Sequence, residues 1–222
     1  MERLEAAAVK IALLGAESTG KTQLAGELAQ HLHRQGRSVA VVPEVLREWC
    51  EREQRTPRPE EQLAIAQEQE RRVDAAAAGA QVVIADTTAL MVAIYSAMLF
   101  EDGTLYRFAL ARQRSYSLTL VTGLDLPWVG DGLQRDGPHV REPVDTLIRS
   151  MLADAQIDYR VVYGSGEERL LNALAAMQSA PQKAVAAAAS DPDPSRQPWI
   201  WVCDKCSDPE CEHKLFSAMV RR

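Results

Sequence analysis

The segment GAESTGKT at residues 15–22 directly follows the short apolar run VKIALL, and this order restricts the folds open to the chain. The two glycines let the backbone curl so that consecutive amide groups point inward. A helix that begins where the curl ends adds partial positive charge, and the lysine and threonine add an ammonium group and a hydroxyl. A strand, a G-x4-G-K-T loop and a helix in succession predict a phosphate-binding loop.

The rarity of lysine makes the lysine of this loop informative. Five of the 25 Lys and Arg residues are lysines, and Lys21 is the one lysine between Ile11 and Gln182. Because arginine is used at almost every other basic position, we expect that the chemistry of the loop requires Lys21.

Composition excludes several classes of function. A net charge of −6 leaves no basic excess to neutralise a nucleic-acid backbone. The longest apolar run, ALMVAIYSAMLF, is shorter than the roughly 18–20 residues of a membrane span. The N-terminal segment mixes both charges and does not resemble a signal peptide. We expect a cytoplasmic protein without nucleic-acid or membrane partners, and the sequence leaves its oligomeric state open.

Strand and helix patterns alternate along the chain. Apolar runs predict strands at 9–15, 38–44, 81–86, 117–123 and 159–164. Helical spacing predicts helices at 21–36, 59–79, 87–100, 102–114, 141–156 and 166–178. This alternation predicts an α/β fold of the P-loop NTPase, kinase-like type, with a five-stranded, mostly parallel sheet covered by helices on both faces. The loops after the strands then lie along one edge, where ligands bind.

The composition changes near residue 180. We predict a P-loop kinase-like domain over 1–179, a flexible linker rich in Ala, Pro and Asp over 180–198, and a small tail over 199–222. The tail places four metal-binding side chains in a C-x2-C-x4-C-x-H pattern, namely Cys203, Cys206, Cys211 and His213. Four such ligands favour a closed, structural Zn²⁺ site, and the alternative is a reduced cysteine tail without metal. The tail is also a candidate site for a protein partner.

The phosphate loop predicts a site for ATP with Mg²⁺. Lys21 would reach the terminal phosphates, and the Thr22 hydroxyl would bind Mg²⁺. Asp86, at the end of the apolar run VVIAD, is predicted to bind Mg²⁺ or its water shell, or to touch the substrate. The alternative is that Asp86 caps the next helix. The predicted nucleotide-binding residues are Gly15, Ala16, Glu17, Ser18, Thr19, Gly20, Lys21 and Thr22.

Two further segments predict an acceptor site. Glu44 ends the second predicted strand and would accept a proton from a substrate hydroxyl, while Arg47 would hold the substrate or an anion. The alternative is that Glu44 begins a helix and pairs with Arg47. Residues 124–137 predict a lid in which Trp128 contacts substrate and Arg135 stabilises the transferred phosphoryl group, and the alternative is an ordinary surface loop.

The motifs GAESTGKT, VPEVLREW, IADTTAL, LPWVGDGLQRDG and YRVVYGSGEERLLNAL, in this order, resemble the ribosylnicotinamide kinase domain of NadR-type proteins and the related P-loop ATPase group. The resemblance implies ATP- and Mg²⁺-dependent phosphorylation of the 5′-hydroxyl of nicotinamide riboside, with Glu44 and Asp86 flanking that hydroxyl. It also implies that Gln67 faces the acceptor pocket. The chain departs from the family where Thr87 and Thr88 follow Asp86, since an acidic residue is common there.

The sequence thus predicts a small-molecule kinase with four catalytic residues, Lys21, Glu44, Asp86 and Arg135. Glu44, Arg47, Asp86 and Trp128 form the predicted substrate site for a nucleoside-like molecule. The alternative is an ATP-binding switch protein whose nucleotide state controls partner binding through the tail.

Overall fold

A computed structural model describes residues 7–129 and 137–179 of the 222-residue chain. All of them lie within one compact unit, Met1–Ala184. The strands are β1 (Val9–Leu14), β2 (Val39–Val42), β3 (Val82–Asp86), β4 (Leu118–Thr122) and β5 (Arg160–Val162). The helices are α1 (Lys21–Arg34), α2 (Val45–Glu53), α3 (Pro59–Ala77), α4 (Ala89–Phe100), α5 (Tyr106–Gln113), α6 (Arg141–Asp154) and α7 (Gly166–Ser179).

The five strands form one sheet in the order β2-β3-β1-β4-β5, and every ladder between them is parallel. Register pairs Leu13 of β1 with Asp86 of β3 and with Leu120 of β4. The predicted five-stranded parallel sheet is therefore confirmed. Because parallel strands end at the same edge, the loops after β1, β3 and β4 meet there.

Helices cover both faces of the sheet, as predicted. Side chains of β1 alternate between the faces: Ile11 and Leu13 pack with the buried residues of α1 and α7, whereas Leu14 packs with those of α2, α4 and α6. Strands buried on both faces read as continuous apolar runs, which is why VKIALL and VVIAD were informative.

β2 differs from its prediction as a buried strand. It is an edge strand of four residues, Val41 is 40% exposed, and Glu44 lies two residues beyond its end. Strand order is not encoded in a local apolar run, so VAVV alone could not indicate an edge position.

Helix bounds agree with the predicted helices within two residues, except that α5 begins at Tyr106 and not near residue 102. α2 was predicted only by the alternative in which Glu44 begins a helix, and the structure contains that helix. None of the helices within 7–129 and 137–179 combines the length and apolar character that crossing a membrane requires.

Candidate active site

The phosphate loop joins β1 to α1 at the carboxyl edge of the sheet. Gly15 has φ +153°, and a Cβ there would lie 2.0 Å from Thr122 Oγ1, so the position requires glycine. Gly20 immediately precedes α1 with φ +72°, a left-handed conformation that side chains with a Cβ rarely adopt. The two glycines of the motif therefore shape the loop as its sequence predicts.

Hydroxyl and ammonium groups hold the curl of the loop from inside. Thr19 Oγ1 donates to Ala16 O at 2.7 Å, and Thr122 Oγ1 approaches Thr19 Oγ1 at 2.7 Å. Lys21 Nζ donates to the carbonyl oxygens of Gly15 and Ala16, both at 2.9 Å. These bonds keep the ammonium group of Lys21 within the loop, where it would meet phosphate oxygens.

Thr22 and Asp86 form the centre of the site. Thr22 Oγ1 donates to Asp86 Oδ2 at 2.5 Å, although the residues are 64 positions apart. Asp86 is 2% exposed, and its buried Oδ1 has no hydrogen-bond partner among the described residues. A hydroxyl beside a buried carboxylate with a spare oxygen is a donor set that suits Mg²⁺, so the predicted ion fits these residues.

The alternative role for Asp86, capping the following helix, is wrong. Thr88 caps α4, since its side chain accepts a hydrogen bond from the Leu90 amide at 3.2 Å. The Asp86 carboxylate is instead directed to Thr22.

Glu44 and Arg47 lie on the β2 side of this pair. Glu44 immediately precedes α2, and Arg47 Nη2 pairs with Glu44 Oε2 at 2.9 Å. Arg47 Nη1 also donates to Thr22 Oγ1 at 3.3 Å. The predicted acceptor residues, Glu44 and Arg47, therefore contact the predicted metal ligand Thr22 through the Arg47 guanidinium. The Glu44–Arg47 ion pair, which was the alternative interpretation, is part of this contact.

The loop after β4 reaches the phosphate loop. Ser18 Oγ donates to Val129 O at 2.6 Å. Neighbouring Trp128 is half-buried, and its indole Nε1 is buried without a hydrogen-bond partner in the described parts of the chain. The first part of the predicted lid thus lies beside the phosphate loop.

Arg135 and the four predicted zinc ligands, Cys203, Cys206, Cys211 and His213, lie outside the described residues, so their roles stay predictions. Within 7–129 and 137–179, His, Cys, Asp and Glu side chains form no cluster of three or more with metal-binding geometry.

The sequence did not reveal a pair of buried polar residues on α3, Gln69 and Glu70. Gln69 bonds to the backbone on either side of Glu44, and Glu70 accepts from the Ala89 amide at the start of α4. Gln67, which the family resemblance places at the acceptor pocket, has an exposed side chain. An amphipathic pattern does not distinguish a buried glutamine from a solvated one, so the helix gave no local signal.

Arg169 of α7 is a second unpredicted contributor. It is 3% exposed and donates to Thr19 O at 2.6 Å and to Gly164 O at 2.8 Å. Asp125 accepts from the Gly164 amide at 2.6 Å and lies 3.4 Å from Arg169 Nη1. These contacts join the loops that follow β1, β4 and β5.

Solved structures that match this fold include the NadR protein in complex with NR, with a TM-score of 0.61 at 16% identity, and the NadR protein in complex with NAD and AMP-PNP, with a TM-score of 0.59 at 18% identity. Each match covers 78% of this chain and 49% of the other, so the chain spans about half the length of the NadR chains. Thymidylate kinase from Ehrlichia chaffeensis matches with a TM-score of 0.56 at 13% identity, over 78% of this chain and 98% of its own. The predicted P-loop kinase-like fold of the NadR type is confirmed.

No curated protein sequence matches the chain. One protein-family model, described as an AAA domain, matches the chain. The match extends over residues 10–169, from β1 through the phosphate loop, Glu44 and Asp86 to Arg169. Since this range is well over half of the 222 residues, the chain belongs to this AAA-domain family.

Proposed function

We propose that this protein is an ATP- and Mg²⁺-dependent kinase that phosphorylates a hydroxyl group of a nucleoside-like small molecule. One observation carries the proposal: a continuous set of contacts runs from Asp86 through Thr22 and Arg47 to Glu44. A nucleotide hydrolase or switch protein needs only the phosphate loop and one carboxylate in the position of Asp86. A second carboxylate held against them by an arginine is what a kinase needs for an incoming hydroxyl.

Each residue then has a distinct role. Backbone amides of Gly15–Thr22 and the Lys21 ammonium hold the ATP phosphates. Mg²⁺ bound at Thr22 and Asp86 would neutralise charge on the phosphate oxygens. The acceptor oxygen attacks the γ-phosphorus, the bond from that phosphorus to the bridging oxygen breaks, and ADP leaves.

We assign the acceptor proton to the Glu44 carboxylate. The Asp86 carboxylate already accepts from Thr22 and is 2% exposed, whereas the Glu44 side chain is 14% exposed on the acceptor side. Arg47 holds Glu44 and lies close enough to orient a substrate hydroxyl or phosphate.

Nicotinamide riboside is the acceptor that we propose, with its 5′-hydroxyl as the nucleophile and nicotinamide mononucleotide as the product. The support is the motif resemblance to NadR-type kinases and the fold shared with a NadR protein that binds NR. Thr87 and Thr88 stand where the family often has an acidic residue, so the assay includes other nucleosides.

The test measures ADP release and phosphorylated product with ATP, Mg²⁺ and a panel of nucleosides led by nicotinamide riboside. We expect one nucleoside to stimulate ADP release, with one phosphorylated product formed per ADP. Slow ADP release that no nucleoside stimulates, in protein that binds ATP, would refute the kinase and favour the switch protein. Stimulation by another nucleoside alone would replace nicotinamide riboside as the acceptor.

A further inference from the structure

Two adjacent residues of α3 carry polar groups into the protein interior. Gln69 is 1% exposed and Glu70 is 2% exposed, on a helix whose other buried residues include Ile65, Ala66 and Val73. Burying an amide and a carboxylate costs free energy unless each is hydrogen-bonded. Both are bonded to backbone groups: Gln69 to the peptide groups on either side of Glu44, and Glu70 to the Ala89 amide, three residues beyond Asp86.

Gln69 holds the backbone on both sides of Glu44. Its Oε1 accepts from the Val45 amide at 2.9 Å, and its Nε2 donates to Pro43 O at 3.3 Å. The Val45 amide is at the start of α2, where helical amides have no partner within the helix. One side chain thus fixes the peptide groups that precede and follow the proposed base.

Glu70 holds the turn that follows Asp86. Its Oε1 accepts from the Ala89 amide at 2.9 Å, three residues beyond Asp86. Within that turn Thr87 has φ +83°, a conformation that β-branched residues rarely adopt and that surrounding contacts must maintain.

The Glu70 carboxylate is itself held by Tyr116 Oη at 3.2 Å and by Arg112 Nε at 3.4 Å. Burial, and next the adjacent Glu70 carboxylate, raise the pKa of Tyr116 well above its usual value, so its hydroxyl remains a donor.

We propose that Gln69 and Glu70 are positioning residues that together set the placement of Glu44 relative to Asp86. The inference rests on the proposed function, and it gives α3 a role that no sequence motif assigns. The two residues are adjacent on one helix, and neither forms a hydrogen bond with the phosphate loop. Loss of the Gln69 bonds should therefore misplace the Glu44 carboxylate. Loss of the Glu70 bond should misplace the Asp86 carboxylate, and the phosphate loop should stay unchanged in both cases. A misplacement of about 1 Å can lower a rate by about 100-fold.

The first experiment compares Q69L with Q62L. Gln62 lies on the same helix, is 2% exposed, and its Nε2 lies 3.5 Å from Pro57 O, away from the Glu44 segment. For Q69L we expect kcat to fall roughly 10- to 100-fold with the ATP dissociation constant changed less than about twofold. For Q62L we expect kcat within about twofold of wild type.

Q69E supplies a signature that loss of stability alone would not give. A neutral carboxyl keeps one acceptor and one donor, as the amide does, whereas an ionised carboxylate only accepts. The ratio of Q69E kcat to wild-type kcat should therefore fall as pH rises from about 5 to about 8, while the Q69L ratio stays flat. Parallel profiles of Q69E and Q69L would overturn the role of Gln69.

The second comparison is E70Q against E70L. The amide in E70Q keeps an acceptor for the Ala89 amide but places a donor against Tyr116 and Arg112, so we expect E70Q to lose less kcat than E70L, which should lose at least about tenfold. Equal loss in both variants would overturn the role of Glu70.

Amide hydrogen exchange separates this inference from the proposed function. We expect faster exchange at Val45 in Q69L and at Ala89 in E70L, and unchanged exchange at both in Q62L. This readout needs no acceptor, so it tests the positioning contacts even if the wild-type protein phosphorylates none of the nucleosides. Unchanged exchange in Q69L and E70L would overturn the inference, whereas an inactive wild type would overturn the function.

Discussion

Lys21 lies inside the phosphate loop, where its ammonium group donates to the carbonyls of Gly15 and Ala16. In K21A the loop keeps its backbone amides and loses the positive charge that reaches the terminal phosphates. We expect kcat/KM for ATP to fall by at least about 100-fold, with a near-native circular dichroism spectrum. R37A is the control, since it removes a positive charge from an exposed side chain in the turn after α1, away from the loop. Normal turnover in K21A would contradict the role of the loop.

Asp86 combines a bond to Thr22 with a spare buried oxygen. D86N keeps an acceptor for the Thr22 hydroxyl but removes the charge that attracts Mg²⁺. We expect kcat to fall roughly 100-fold and the Mg²⁺ concentration for half-maximal activity to rise. A magnesium titration of both proteins measures this, with EDTA abolishing wild-type activity. An identical titration midpoint in D86N would place the metal elsewhere.

Residues in local motifs could be predicted, and residues that act at a distance could not. Gly15, Gly20 and Lys21 are part of one short pattern, and Asp86 ends an apolar run. The partners of Gln69, Glu70 and Arg169 in the site lie 24, 19 and 150 positions away along the chain. Composition and periodicity report local structure, so such contacts leave no trace in either.

At the scale of helices and strands, the apolar content of a segment decided whether it was predicted. The central strands β1 and β3 are buried on both faces, and their runs are unmistakable. α2 buries only Val45, Leu46 and Cys50 among nine residues, and its charged remainder obscures the period. The short edge strand β2 has the composition of a central one, so its exposed position could not be foreseen.

The junction between α2 and α3 predicts an acid-dependent contribution to stability. Arg55 stacks over the Trp49 ring at 4.7 Å and forms two hydrogen bonds with Glu61 in the first turn of α3. The Arg55 guanidinium, and then the Arg58 backbone amide, lower the pKa of Glu61 from 4.5 to about 2. A carboxyl with a lowered pKa in the folded state stabilises above its unfolded pKa and loses that contribution as pH falls.

We therefore expect wild type to be more stable than E61Q near neutral pH and the difference to shrink as pH falls from 4.5 to about 2. Denaturant unfolding of both proteins across this range measures the difference. Both groups are partly exposed, so high salt should reduce it as well. A difference that is independent of pH would show that the Glu61 charge does not contribute.

At the scale of the whole domain, parallel topology brings loops from distant parts of the chain to one edge of the sheet. Arg169 joins three of them through Thr19, Asp125 and Gly164. The phosphate loop joins this network at Thr19, and Gly164, two residues beyond the end of β5, joins it from the loop before α7. We infer that the Arg169 network fixes the ATP-binding side of the site, whereas the role proposed for α3 is to fix the acceptor side.

These two roles predict different kinetic effects: variants of Arg169 should weaken ATP binding, and variants of Gln69 should lower kcat without weakening ATP binding. R169Q removes a charged donor to two carbonyls, and we expect the ATP dissociation constant to rise at least about tenfold with the KM of the acceptor changed less than about twofold. R169K keeps a charge with fewer donors and should be intermediate. R160Q, at an exposed position of β5, is the control. Calorimetry with ATP and Mg²⁺, together with acceptor kinetics, measures both effects. If R169Q and Q69L impaired ATP binding and acceptor turnover alike, the two halves of the site would not be supported independently.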